Sequence, residues 1–115
     1  MIYYHNPRCS KSRQGLELLN TKGVDFEIKE YLKEGLAQKE VSSIIKDLGI
    51  NPLQGLIRVK EATFKELGLS KNDELSNTKW AKIISENPVL LERPILVNGS
   101  KVAIGRPPED LLKAL

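Results

Sequence analysis

The residue in this chain best suited to covalent chemistry is its single cysteine, Cys9, set in Pro7-Arg8-Cys9-Ser10-Lys11-Ser12. An apolar strand pattern ends before it and a helical pattern begins after it. The sulfur is therefore expected at a helix start, where unsatisfied N–H groups together with Arg8, Lys11 and Arg13 favour the thiolate. A thiolate present at neutral pH is a nucleophile, and the same amides would cradle an anion beside it. One local structure could thus activate the thiol and hold an oxyanion. The commoner role of a lone cysteine is that of a small buried residue. The basic, proline-interrupted setting of Cys9 argues against burial.

Ser12 completes a Cys-X-X-Ser spacing, so the chain cannot close a disulfide on itself, and a redox cycle needs an external thiol such as glutathione. Ser12 has two readings, a hydrogen bond to the thiolate or a first-turn helix serine near a cap. His5, the only histidine, is either a charge partner for the thiolate or a residue that closes the strand end by a hydrogen bond. With one His and one Cys, no metal site is expected. Arg58, Arg93 and Arg106 each adjoin loop signals, and guanidinium groups suit bidentate recognition of tetrahedral oxyanions. Singly, each reads as a solvated charge; only a shared site gives them a joint role. Pro94, after Arg93 and before an apolar strand, is a position where a cis peptide bond is possible.

These residues need positioning elements. Met1-Ile2-Tyr3-Tyr4 reads as a short strand, Ser10 onward as a helix over roughly 10 to 21 stopped by Gly23, and 24 to 31 as a second, alternating strand. Strand, helix and strand in this order form a βαβ unit with parallel strands. Helices follow over Lys39 to Leu48, ending at Gly49, and over Ser76 to Glu86, with Trp80 in the core. Ile95-Leu96-Val97, Asn98-Gly99-Ser100 and Val102-Ala103-Ile104 read as a hairpin whose Asn-Gly supplies positive φ. A last helix opens with proline in its first turn and Glu109-Asp110 against its dipole. The order βαβ, helices, ββα is that of an α/β fold, a mixed sheet with helices on both sides.

At 115 residues, 40% apolar and 29% charged, the chain is expected to be one domain, 1–115. The net charge of +3 is the small difference of 18 basic and 15 acidic residues, which excludes neither class of partner but favours small anions over nucleic acid. No apolar run is long enough for a membrane span, and Met1 to His5 lacks the features of a secretion signal, so a cytoplasmic location is expected. No heptad or apolar stripe asks for a partner copy, so a monomer is expected.

Tyr4-His5-Asn6-Pro7-Arg8-Cys9-Ser10-Lys11-Ser12-Arg13, Leu56-Ile57-Arg58, Leu67-Gly68-Leu69, Glu92-Arg93-Pro94-Ile95 and Gly105-Arg106-Pro107 are ordered as in the glutaredoxin-linked arsenate reductases, which the chain resembles from about Ile2 to Leu112. The resemblance implies a thioredoxin-like, mixed four-stranded sheet with a helical insertion between the βαβ and ββα halves, and a cis Pro94 facing the active site. It implies that Cys9 is the nucleophile, that Arg58, Arg93 and Arg106 bind the oxyanion, and that His5 helps to activate the thiolate. Arsenate is then the substrate, glutathione the co-substrate and glutaredoxin the protein partner. Relatives of the same fold include glutathione-dependent thiol reductases without arsenate activity, and Spx-type regulators that bind RNA polymerase. The regulators generally use a Cys-X-X-Cys switch, which Ser12 breaks, and the three arginines favour the arsenate reading.

Overall fold

β1 (Ile2–Tyr4) is the strand from which the others take their places in the computed structural model, which describes residues 1–115. The chain leaves β1 through a loop into α1 (Ser10–Thr21) and returns as β2 (Glu27–Lys29), parallel to β1. On the other side of β1 runs β3 (Ile95–Asn98), antiparallel to it, and beyond that β4 (Lys101–Ile104), antiparallel to β3. The order β2-β1-β3-β4 makes a mixed four-stranded sheet flanked by helices. This is the α/β class and the pairing expected from the βαβ and ββα patterns.

The chain divides into two compact units, Met1–Glu34 with Arg93–Leu115, and Gly35–Glu92. In the first, one face of the sheet packs against α1 and a closing 3-10 helix, Pro108–Ala114. Tyr3, Leu19, Leu96, Ala103, Leu111 and Ala114 form its core, with Leu16, Val24 and Phe26 packed against it.

Gly15, in the middle of α1, is where helix and core approach most closely. A Cβ there would strike the Tyr3 hydroxyl, lie 2.7 Å from Leu111 Cδ1 and lie 3.2 Å from Pro94 Cγ. None of these is the loose end of a flexible surface chain. Gly15→Ala is therefore expected to lower stability by about 1–2 kcal/mol, the overpacking cost exceeding the gain of about 1 kcal/mol in helix propensity. A urea midpoint at or above wild type would contradict this packing.

The second unit holds α3 (Gln38–Leu48), α4 (Ala62–Glu66) and α5 (Asn77–Glu86). α3 buries Val41, Ile44 and Ile45 and packs on α5, which buries Trp80, Ala81 and Ile84. Their ends are set by local chemistry: the Glu40 carboxylate accepts the Ala37 N–H at 2.7 Å, Gly49 takes a left-handed φ of 67°, and Ser76 Oγ accepts the Lys79 N–H at 3.2 Å. Both long helices start one residue from where the pattern places them.

Four details differ from the sequence expectations. The second strand is three residues long rather than 24 to 31, and Tyr31 instead opens a short helix, α2 (Tyr31–Glu34). β1 offers only three partners, and Glu30 O accepts from the N–H groups of Lys33 and Glu34, turning the chain into a helix. Asn98 is not a turn residue. It pairs with Lys101, the two-residue loop is Gly99-Ser100 with φ of 60° at Gly99, and the Asn98 amide instead donates to Ala114 O at 2.7 Å. The last helix is of 3-10 form, with Pro107 just before it and Pro108 as its first residue. Cys9, expected to be accessible, is only 8% exposed. No helix is long and apolar enough to cross a membrane.

Candidate active site

Sheet register explains which residues meet around the cysteine. Tyr4 at the end of β1 pairs with Ile95 at the start of β3, and Ile95 pairs with Ile104 at the end of β4. The loop after β1, the segment before β3 and the segment after β4 therefore leave the sheet at the same end of its strands. Gly105 N–H extends the hairpin by donating to Pro94 O at 2.8 Å, which sets Arg106 beside Arg93. The Arg93–Pro94 bond is cis, as the resemblance implies, and Arg106–Pro107 is cis as well.

The loop into α1 is tied at several points. Asn6 O accepts the Cys9 N–H at 3.0 Å across a turn with Pro7 at its second position, and Asn6 Oδ1 accepts the Arg8 N–H at 3.1 Å. Arg13 closes the other side, donating to Pro7 O at 2.9 Å. Cys9 is the N-cap of α1 in extended conformation, and its side chain caps nothing. The first-turn amides of α1 thus point toward the sulfur end without a capping oxygen.

Arg106 lies over that sulfur. Its Nη2 donates to Cys9 Sγ at 3.6 Å and its Nε to Arg93 O at 2.8 Å. This contact, together with the folded-back loop, is the physical reason that Cys9 is buried despite its polar sequence setting. The guanidinium is aimed by a main-chain carbonyl, so its approach to the sulfur is fixed by the hairpin rather than by a flexible stem.

Ser12 and His5 form a second, buried layer. Ser12 Oγ accepts the Asn6 N–H at 3.0 Å and shares a hydrogen bond of 2.7 Å with His5 Nδ1. The Tyr3 hydroxyl donates to Ser12 O at 2.6 Å, and burial holds that phenol well above its ordinary range, so it remains a donor. Ser12 is thus a first-turn serine spent on His5 and the loop. His5 closes the strand end as well, its N–H donating to Lys29 O at 2.9 Å.

Burial lowers His5 below its ordinary value of 6.5, with Arg13 acting in the same direction and Glu30 opposing. The unfolded chain then takes up a proton before the folded one does. Stability is complete above the unfolded value and is lost as pH falls from about 7 through 6 toward the folded value. His5→Gln is expected to remove this slope. Urea unfolding of both proteins across that range checks it; a wild type that gains stability on acidification relative to His5→Gln would contradict the burial.

The structure brings Cys9, Arg93, Arg106, Pro94, His5 and Ser12 into one unit. Arg58 is held in the other, where its guanidinium pairs with Glu61 and, at 3.7 Å, with Glu92. Its backbone is set by an isolated bridge of Ile57 with Leu91, Arg58 N–H donating to Leu90 O at 2.8 Å. Tyr3 and Gly15 were missed as site supports. The usable signal was an isolated glycine inside a helical pattern, which marks a close approach. No group of three or more His, Cys, Asp or Glu side chains converges on a point that could hold a metal.

Comparison with known proteins is consistent across sequence and structure. The model of the ArsC family matches residues 4–114. An arsenate reductase of Haemophilus influenzae is 46% identical over 115 residues, 100% of this chain and 98% of that protein. An uncharacterised protein of Escherichia coli is 44% identical over 110 residues, 96% of this chain and 92% of its own. Among solved structures, the arsenate reductase from Vibrio cholerae superposes with a TM-score of 0.89 at 38% identity, covering 99% of this chain and 96% of its own.

Proposed function

The chain belongs to the ArsC family, and from that premise we propose that it reduces arsenate to arsenite with electrons from glutathione and glutaredoxin, Cys9 being the nucleophile. The observation that carries the reading is the Arg106 guanidinium 3.6 Å from Cys9 Sγ, aimed by the carbonyl of Arg93. A cation fixed beside a sulfur at a helix start favours the anion that the sulfur must meet and the charge that develops as they react.

The steps balance as follows. Cys9 thiolate attacks arsenic(V), a sulfur–arsenic bond forms, and a protonated arsenate oxygen departs as water. Glutathione thiolate then attacks the Cys9 sulfur. The sulfur–arsenic electron pair stays on arsenic, which leaves as arsenite, and the two thiols have become a mixed disulfide. A glutaredoxin thiolate takes the glutathione from that disulfide and frees Cys9. With Ser12 in place of a second cysteine, the chain has no resolving thiol of its own.

Arg93 and Arg106 are proposed to bind the oxyanion and to offset the repulsion between it and the thiolate; Arg58 is the third such arginine by resemblance. His5 and Ser12 act through the loop, since Ser12 Oγ engages Asn6 and His5. Pro94, packed closely against Gly15 and Gly105, is the structural residue of the proposed site. The chemistry needs no resident metal or cofactor. A cytoplasmic, monomeric enzyme is part of the proposal.

The test is NADPH oxidation through glutathione reductase, with glutathione and glutaredoxin present. Turnover that requires arsenate supports the reading. If arsenate gives nothing while a glutathione mixed disulfide is reduced, the enzyme is a thiol-disulfide reductase.

A further inference from the structure

The residues that lead into Cys9 also line a cavity that the oxyanion chemistry does not use. It has a volume of about 230 Å³ and lies between the His5–Arg8 loop on one side and Glu30, Leu32 and Lys33 on the other. All of these belong to the same unit as Cys9. Leu32, in α2, is 48% exposed there. Around this apolar side chain stand the cations Arg8 and Lys33 and the carboxylate of Glu30.

We infer that this cavity seats the glutathione that attacks at Cys9, with Lys33 and Arg8 on its two carboxylates and Glu30 on its α-ammonium. The inference rests on the reading that Cys9 is regenerated by an external thiol. The charges correspond group for group, two cations and one anion in the protein against two carboxylates and one ammonium in the tripeptide. Leu32 gives the peptide stem an apolar surface.

The site is ready to exchange partners. The Lys33–Glu30 pair is 3.6 Å apart with side chains 79% and 38% exposed, and such pairs contribute little in water, so a ligand displaces them at small cost. Reach is sufficient as well. Adjacent Cα atoms are about 3.8 Å apart, so Arg8 lies one step from the cysteine, whereas an extended tripeptide spans about 10 Å. The cavity thus adjoins the cysteine in the chain, and a tripeptide anchored on Arg8 is long enough to extend from it toward Cys9.

The probe is S-methylglutathione, which keeps both carboxylates and the ammonium but cannot react. Titrated into the ¹⁵N-labelled protein, it is expected to move the amide resonances of His5–Arg8 and Glu30–Lys33. Lys33→Glu and Leu32→Asp, both at exposed positions, should weaken this binding about three- to tenfold. They should raise the KM for glutathione by the same factor and leave that for arsenate unchanged. Shifts confined elsewhere, no shifts at all, or variants that titrate like wild type would overturn the inference. The two readings fail separately. Arsenate turnover without perturbation of the cavity removes only this site, and perturbation of the cavity in a protein that ignores arsenate removes only the arsenate reading.

Discussion

Cys9→Ser is expected to abolish arsenate-dependent NADPH oxidation, a loss of more than about a thousandfold, while leaving the protein folded. A serine hydroxyl occupies nearly the same volume at the N-cap but ionises far less readily than a thiol. It also lacks the sulfur that must end in a mixed disulfide. The expected loss is therefore chemical. The Arg13 N–H bond to Cys9 O, at 3.0 Å, and the Cys9 N–H bond to Asn6 O, at 3.0 Å, are main-chain contacts that serine retains. A thermal midpoint close to wild type with no turnover is the predicted pair of results. Residual turnover above about a tenth of wild type would mean that another group carries the reaction.

Arg106→Ala should slow arsenate turnover about a hundredfold to a thousandfold, as does removal of a preorganised donor beside developing charge. The side chain is held by Arg93 O at 2.8 Å and reaches Cys9 Sγ at 3.6 Å. Lysine has one nitrogen at the end of a flexible stem and cannot make both contacts, so Arg106→Lys is expected to recover only a minor part of the rate. Arg58→Ala should cost less, because Glu61 and Glu92 already share the charge of that guanidinium. Steady-state rates at saturating arsenate for the three variants check the order. A harmless Arg106→Ala beside a damaging Arg58→Ala would reverse the assignment of roles.

The parts of this structure that were legible beforehand are those fixed by neighbours in sequence. α1 spans the residues that its apolar spacing and the turn at Asn6-Pro7 define, and α3 and α5 end where Gly49 and Asn87-Pro88 end them. The pairing of β1 with β2 follows from the length of one crossover helix. What was not legible depends on partners that spacing alone does not select, some of them far apart in the chain. Cys9 is buried because Arg106, 97 positions later, lies across it. Asn98 carries a turn signature, yet the distant carbonyl of Ala114 draws its amide, and the loop slips to Gly99-Ser100. Ser12 could serve the sulfur or the loop by spacing alone; the side chain of His5 and the N–H of Asn6 decide for the loop. Arg58 shares its oxyanion-binding residue type with Arg93 and Arg106. Only the folded chain shows that it meets two carboxylates while Arg106 meets a sulfur.

The central claim is that Cys9 bonds first to arsenic and then to glutathione. Intact-mass analysis of the protein mixed with glutathione and arsenate, with glutaredoxin withheld, tests it most directly. The account predicts one glutathione bound per chain, mapped to Cys9, accumulating only when arsenate is present and in equal amount to the arsenite released. Arsenite formed with Cys9 left as a free thiol, or a glutathione adduct that accumulates equally without arsenate, would contradict it.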